Sequence, residues 1–499
     1  MDARRALALA ALLTAGLGAL HLWLAGTLEL SPDEAYYWTW TKDLSLSYPD
    51  HPPLVAWLVA AGTALAGDTE LGVRWPFVLL GTALVPLAFL IGRRSGLRPG
   101  LALLAAAAVG TSLLGSAGAL LATPETPLVF GWALGLLGLV NASRGGPGRA
   151  SWILLAAGVA VSLLAKLTGV LLPIVIVLWI LTDGTQARRR RSAPWLALAL
   201  GSLAAVPFYV ADLLQGGATV FQVSHGLWSP GLGIGERLGN LGAYLAGQLG
   251  LFGLWFVPAA AVFLLRFRGR SSADSALWLS SALPWFAFAF AALLAPPESN
   301  WPACAHIGAL VGAARAVEEA RERGARWARP AWVAAALGLQ LAVSLLVHVH
   351  IVRPFLPLET AEPAPFTGPT DPAARLHGWR ELVEALRRQG EPVLAGWYGA
   401  AAELEFYGPT TTTPTTPTNE ASAASPEPRA SASGLAGVWE ARLMLVPSPG
   451  SGLPGQERAG LPPGCEVLPM DPRAMDPGLV HPTAPVRIEC AACPVRSAR

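Results

Sequence analysis

Long apolar runs separated by short polar segments fill roughly the first 350 residues, and many runs are long enough to cross a hydrocarbon core of about 30 Å at 1.5 Å per residue. Backbone in lipid must satisfy its own hydrogen bonds, so the runs predict helices. The pattern places spans over residues 6–28, 72–92, 99–122, 127–141, 151–165, 168–182, 194–213, 241–265, 275–295, 302–318 and 331–352. The apolar stretch at about 54–66 is short for a span and is expected to lie along the membrane surface. From about Arg353 the chain turns Pro-, Thr- and Ser-rich with mixed charge, which predicts a water-exposed domain. Within that domain the pattern suggests a short amphipathic helix at 379–388, strands at 391–397 and 441–446, and a disordered insert at 409–433. The expected fold is an all-α polytopic membrane bundle of about 11 transmembrane helices (residues 1–352), followed by a small C-terminal extracytoplasmic α/β domain (353–499).

Composition agrees: 53% apolar and 14% charged residues exclude an ordinary soluble enzyme. The net charge of +2 conceals an asymmetry. Arg4/Arg5, Arg93/Arg94/Arg98, Arg144/Arg149, Arg188 to Arg191, Arg266/Arg268/Arg270 and the Arg315 to Arg329 run fall on alternate loops. The intervening loops, at 29–71, 123–126, 214–240 and 296–301, are acidic or neutral. The positive-inside rule then puts the N-terminus inside and the C-terminal domain outside a bacterial-type inner (cytoplasmic) membrane. The first apolar segment lacks a convincing cleavage site and is read as a retained helix. Of four cysteines, Cys304 falls in an expected span and Cys465, Cys490 and Cys493 in the tail, where an oxidising compartment permits one disulfide. No second ligand pair accompanies Cys490-x-x-Cys493, so no metal site is expected.

Polar residues that lipid penalises collect on the outer side. The first external loop, 29–71, carries Asp33, Glu34, Lys42, Asp43, Asp50 and His51 among aromatics and prolines. Asp33 and Glu34 follow Ser31-Pro32, so they suit the first turn of a helix; the alternative use is a general base and an acidic neighbour. Tyr36, Tyr37, Trp38 and Trp40 suit either an interfacial belt or stacking on a sugar ring. The only two lysines are Lys42 and Lys166. Lys166 either snorkels to the interface or neutralises a phosphate leaving group. Glu125, in TPETP, and Glu298, before Asn300 and Trp301, occupy further outer turns, and Asp212, Gln222, His225 and Gln248 add isolated polar groups.

At these residues the sequence resembles the dolichyl-phosphate-mannose protein mannosyltransferase-like proteins of glycosyltransferase family 39, which have the membrane-embedded C-type fold. The likeness rests on PDEAYYW (32–38), Tyr48-Pro49-Asp50-His51-Pro52-Pro53-Leu54, Gly72-Val73-Arg74, TPETPL (123–128), KLTG (166–169) and Glu298-Ser-Asn300-Trp301-Pro302. In the tail it adds Asp371-Pro372, Arg375, Gly378-Trp379 and the Glu403 to Tyr407 element, so it covers about residues 6–410. Glu125 stands where the family usually has Asp, and Leu167 where it has Tyr. The resemblance implies inverting transfer of a monosaccharide from a polyprenyl-phosphate donor to an extracytoplasmic lipid, glycan or protein acceptor. It makes Asp33 the base with Glu34 beside it. Lys166, His51 and Arg74 go to the donor phosphate, and Tyr36, Tyr37, Asp50, Glu125, Glu298, Asn300 and Trp301 to substrate. No cofactor is required, although a divalent metal is compatible with some relatives. A transporter or lipid-linked sugar flippase is the competing reading, opposed by the absence of an evident internal repeat and by carboxylates lying in loops.

Overall fold

The computed structural model describes residues 1–144, 148–182, 192–215, 217, 229, 231–266, 271–356, 371–389 and 398–408, together with the backbone of 465–469 and 486–490. The segments expected as strands at 391–397 and 441–446, the insert at 409–433, and Gln222 and His225 lie outside them.

The chain forms two compact units: Met1–Thr27 with Leu44–Val349, and Leu28–Asp43 with the residues from His350 onward. Among its described residues the first consists of helices joined by turns and loops. It comprises α1 (Ala3–Ala25), α3 (Leu54–Ala66), α4 (Glu70–Arg94), α5 (Pro99–Thr111), α6 (Glu125–Ala142), α7 (Arg149–Ala165) and α8 (Leu171–Thr182), then α9 (Ser192–Leu203), α10 (Val206–Leu214), α11 (Ile234–Phe252), α12 (Phe256–Leu265), α13 (Ser272–Ala292), α14 (His306–Glu322) and most of α15 (Pro330–Val352). α2 (Pro32–Thr39) belongs to the second unit. Six helices or continuous helix pairs among the described residues are long and apolar enough to cross a membrane: α1, α4, α6, α9 with α10, α13 and α15. A seventh is α11 with α12 if that pair, bent by 113°, counts as one. α3, α5, α7 and the 167–182 helix are apolar but shorter. The expected span at 99–122 is shorter in the structure, because α5 ends at Thr111 and residues 112–121 form turns. Ser112 and Ser116 take up backbone carbonyls there, and Gly115 would clash with the Val109 carbonyl if it carried a Cβ.

α6 and α7 form a closely packed helical hairpin. Glycine permits it: a Cβ on Gly158 would sit 2.3 Å from the Gly135 nitrogen, so any side chain there would force the helices apart. Small-residue packing of this kind replaces the hydrophobic effect as the associating force between helices in lipid. Because the hairpin is antiparallel, it brings the first residue of α6 and the residue following α7 to the same end. Those are Glu125 and Lys166.

The second unit contains α2, α16 (Trp379–Gln389) and α17 (Tyr398–Tyr407), plus an antiparallel strand pair, β1 (Cys465–Pro469) and β2 (Val486–Cys490), in which Cys465 is the register partner of Cys490. α16 matches the amphipathic helix expected at 379–388. Its first backbone N–H groups are taken up by Glu29, which accepts from Trp379 N at 2.7 Å and Arg380 N at 3.1 Å. Burial pushes the Glu29 carboxyl above its ordinary range against the opposing pull of these two N–H groups.

Candidate functional site

In the first unit, Lys166 closes α7 in extended conformation and starts a short 3₁₀ turn, 167–170. Its ammonium forms an ion pair with Glu125, and both side chains are almost enclosed. Glu125 stands at the start of α6, where a carboxylate complements the helix dipole. The same Glu125 Oε1 accepts a hydrogen bond from Asn300 Nδ2 at 2.9 Å. Asn300 belongs to the turn before α14, and that turn is tied to α11: Gln248 Nε2 donates to the Ser299 carbonyl at 3.0 Å. Gly247 makes the approach possible, since a Cβ there would lie 2.2 Å from Ser299 Oγ. His51 completes the group. Desolvation pushes its imidazole down, to about 3; the nearby Lys166 cation pushes the same way and Glu125 opposes. His51 is therefore a neutral ring at physiological pH, able to exchange a hydrogen bond but carrying no charge.

The arrangement holds one cation and one carboxylate in a poorly solvated pocket of charge, with an amide steering the carboxylate. Chemically it suits an anion presented to Lys166, with Glu125 fixing the ammonium's position. Arg74 is fully buried in α4, and its Nη1 reaches the Ala25 carbonyl at 3.4 Å. Glu298 is exposed, and Trp301 packs its ring 5.8 Å from Phe288. Asp50 is half-buried beside His51 in the chain. Among the described residues no group of three or more His, Cys, Asp or Glu side chains is arranged to hold a metal ion.

In the second unit, α2 begins at Ser31-Pro32. Glu34 is completely buried and its Oε2 accepts from Ser31 N at 2.9 Å, the reciprocal half of a capping box. The capping use read from the sequence is thus realised by Glu34. Asp33, one residue earlier, points outward; its Oδ1 accepts from the Tyr398 hydroxyl at 3.3 Å. Aromatic rings surround α2: Tyr36 lies 4.5 Å from Tyr398 and 5.0 Å from Trp40, Tyr37 lies 5.0 Å from Trp40, and Trp38 lies 4.9 Å from Phe406. The Lys42 ammonium sits 4.1 Å over the Trp38 ring and pairs with Glu405. Tyr407 closes the entry to the helix by accepting from Leu30 N at 2.8 Å. Tyr398 and Glu405, the direct partners of Asp33 and Lys42, were not singled out from the sequence. Glu405 falls within the Glu403 to Tyr407 element noted there, which offered the only signal.

The structure brings Glu125, Lys166, Asn300 and His51 together in the first unit, and Asp33, Glu34, Tyr36 and Tyr37 in the second. Comparison with known proteins gives three findings. Residues 50–210, about a third of the chain, match the family described as dolichyl-phosphate-mannose-protein mannosyltransferase. The chain is 26% identical over 305 residues to the lipid A galacturonosyltransferase RgtD of Rhizobium johnstonii, an alignment covering 56% of this chain and 59% of that protein. The match therefore spans less than two thirds of the length of that curated relative. Two crystal structures of ArnT from Cupriavidus metallidurans share the fold. The apo form superposes with a TM-score of 0.57 at 14% identity, and the form bound to undecaprenyl phosphate with 0.55 at 15%. Each superposition covers 79% of this chain and 84% of ArnT. The family match supports the resemblance drawn from the motifs within residues 50–210, and the chain shares the fold of ArnT.

Proposed function

We propose that the protein is an integral membrane glycosyltransferase that moves a monosaccharide from a polyprenyl-phosphate donor to an acceptor outside the cytoplasmic membrane, with inversion. The observation that carries this reading is the enclosed Lys166–Glu125 pair steered by Asn300, in a chain whose fold is shared with ArnT bound to undecaprenyl phosphate. In the proposed reaction an acceptor hydroxyl or amine attacks the anomeric carbon while the bond from that carbon to the phosphate oxygen breaks. Asp33 takes the acceptor's proton; Lys166 neutralises the departing phosphate, with neutral His51 as a hydrogen-bonding neighbour. Tyr36, Tyr37 and Asp50 are assigned to substrate, as are Glu298 and Trp301. Arg74 is assigned with Lys166 and His51 to the donor phosphate, and Glu34 supports Asp33 through the α2 cap. The acceptor is a lipid, glycan or protein group, and the name of the curated relative makes a lipid A-type glycolipid the first to try. The reading keeps eleven spans, counting α5, α7, α8 and α14 with the longer helices, and an outward-facing C-terminal domain.

The test is transfer by the purified full chain in detergent, with a polyprenyl-phosphate sugar and candidate acceptors, read by mass spectrometry of the product. Transfer by the natural sequence and near-complete loss in Asp33→Asn is the expected pair of results. Full activity of Asp33→Asn overturns the base assignment. Solute movement into proteoliposomes without any transfer overturns the enzyme.

A further inference from the structure

α14 has Asn300 shortly before its first turn and an arginine-rich turn just past its last. That turn, residues 323–329, leads into α15 and is pinned by one side-chain and several backbone hydrogen bonds. Arg321 Nε donates to the Ala328 carbonyl at 2.7 Å, Ala325 N to the Ala320 carbonyl at 2.9 Å, and Val333 N to the Arg329 carbonyl at 3.1 Å. The pinned turn forms one wall of a cavity of ≈ 540 Å³ lined by Trp255, Arg326, Trp327, Arg329 and Trp332. Trp255 and Trp327 approach to 5.9 Å between ring centroids.

Charge bookkeeping on this face is uneven. Arg98 pairs with Glu318 and Glu322, Arg266 and Arg323 with Glu319, and Arg315 with Asp274 and Glu318. Arg326 and Arg329 have no carboxylate partner among the described residues, and both side chains are exposed at the cavity. Two uncompensated guanidinium groups beside three indole rings make a receptor for a negative headgroup at a membrane boundary, where tryptophan is favoured and arginine attracts anionic lipid. The apolar continuation is present as well. From Trp332, which is 62% exposed, the exposed side chains Leu339, Val343 and Leu346 run up one face of α15 at helical spacing, a track for acyl chain.

We infer that this cavity binds an anionic glycerophospholipid of the leaflet on the arginine-rich side, its phosphate between Arg326 and Arg329 and its acyl chain along α15. The inference does not depend on the transferase reading, because none of its residues is assigned to donor or acceptor.

Native mass spectrometry of the full chain in detergent, titrated with phosphatidylglycerol, phosphatidylcholine and inorganic phosphate, tests it. Phosphatidylglycerol should be retained well above phosphatidylcholine. The double variant Arg326→Gln/Arg329→Gln should hold it about thirtyfold more weakly, the loss of two headgroup contacts, with melting in neutral detergent unchanged. The charge-keeping pair Arg326→Lys/Arg329→Lys should retain it within about threefold, which supports the site even if the glutamine pair fails to fold. Equal retention of the two lipids, or undiminished phosphatidylglycerol binding by a folded glutamine pair, overturns the proposal. Displacement of the lipid by millimolar inorganic phosphate overturns the lipid as occupant in favour of a free anion.

Discussion

Asn300 donates to the same Glu125 oxygen that receives the Lys166 ammonium, so a turn near the start of α14 steers an ion pair built by the α6–α7 hairpin. Three separated stretches of chain meet on one carboxylate oxygen. Removing either charged member leaves its partner's charge poorly compensated in an enclosed place.

Glu125→Ala is therefore expected to strand the Lys166 cation and to destabilise the membrane unit by about 3 kcal/mol, the usual consequence of breaking an enclosed pair from one side. Glu125→Asp, which restores the carboxylate that the resembling family carries there, should fold and retain most transfer. Lys166→Gln should fold better than Glu125→Ala yet lose transfer by about 100-fold or more, as expected for loss of a charge that faces a leaving group. Thermal melting and initial rates on the three variants separate the effects. Unimpaired transfer by Lys166→Gln would remove the cation from the mechanism.

Asp33 and Glu34 should divide cleanly. Asp33 is exposed and its loss disturbs little packing, so Asp33→Asn is expected to melt like the natural protein while transfer nearly vanishes. Glu34 is buried and caps α2, so Glu34→Gln should lower stability by about 1 kcal/mol and affect transfer only as far as α2 loosens. If the two variants exchanged these phenotypes, the base would be Glu34.

His51 predicts a pH dependence whose sign follows from its depressed imidazole. In the folded protein it protonates only near 3, whereas in the unfolded chain it protonates near its ordinary 6.5. Between those values the unfolded state binds more protons, so this group's contribution to stability is complete above about 6.5 and is lost as pH falls toward 3. Glu29 acts oppositely: its raised carboxyl favours the folded state below the ordinary carboxylate range, and that contribution fades as pH rises through its folded value. Melting followed from pH 7.5 to 4.5 should fall less steeply in His51→Gln than in the natural sequence. An unchanged slope would mean that the imidazole is not desolvated.

Gly158→Val should be among the most damaging single substitutions in the helices. The added side chain meets the Gly135 backbone at 2.3 Å, a contact that only separation of α6 from α7 can relieve. Expected results are a loss of about 2 kcal/mol or more in stability and, in protein that still folds, weakened transfer through displacement of Glu125 from Lys166. Normal melting and normal rates together would show that the hairpin does not position the pair.

Much was legible in the chain because its determinants are local. The PDEAYYW segment carries its own helix start, and Ser31, Pro32 and Glu34 form the cap that such a sequence predicts. The amphipathic helix at 379–388 followed from its periodicity, and appears as Trp379–Gln389. The 99–122 span read too long because residues 112–121 are as apolar as a span. What ends α5 is a set of serine-to-backbone bonds and a glycine close to a carbonyl, which hydropathy does not register. Tyr398 and Glu405 escaped notice for another reason: they lie more than 360 residues from Asp33 and Lys42, and no spacing rule reaches that far.

By itself the sequence determined the class of environment, the alternation of arginine-rich and acidic loops, and the inventory of carboxylates, lysines and aromatics, because lipid acts on each segment independently and charge on each loop. Tertiary structure alone decided which of those groups are partners. It set Asp33 on an open face beside Tyr398, and it buried Arg74. It joined Glu125 to Lys166 and Asn300, because pairing depends on how closely glycine-lined helices approach and on which ends they bring together.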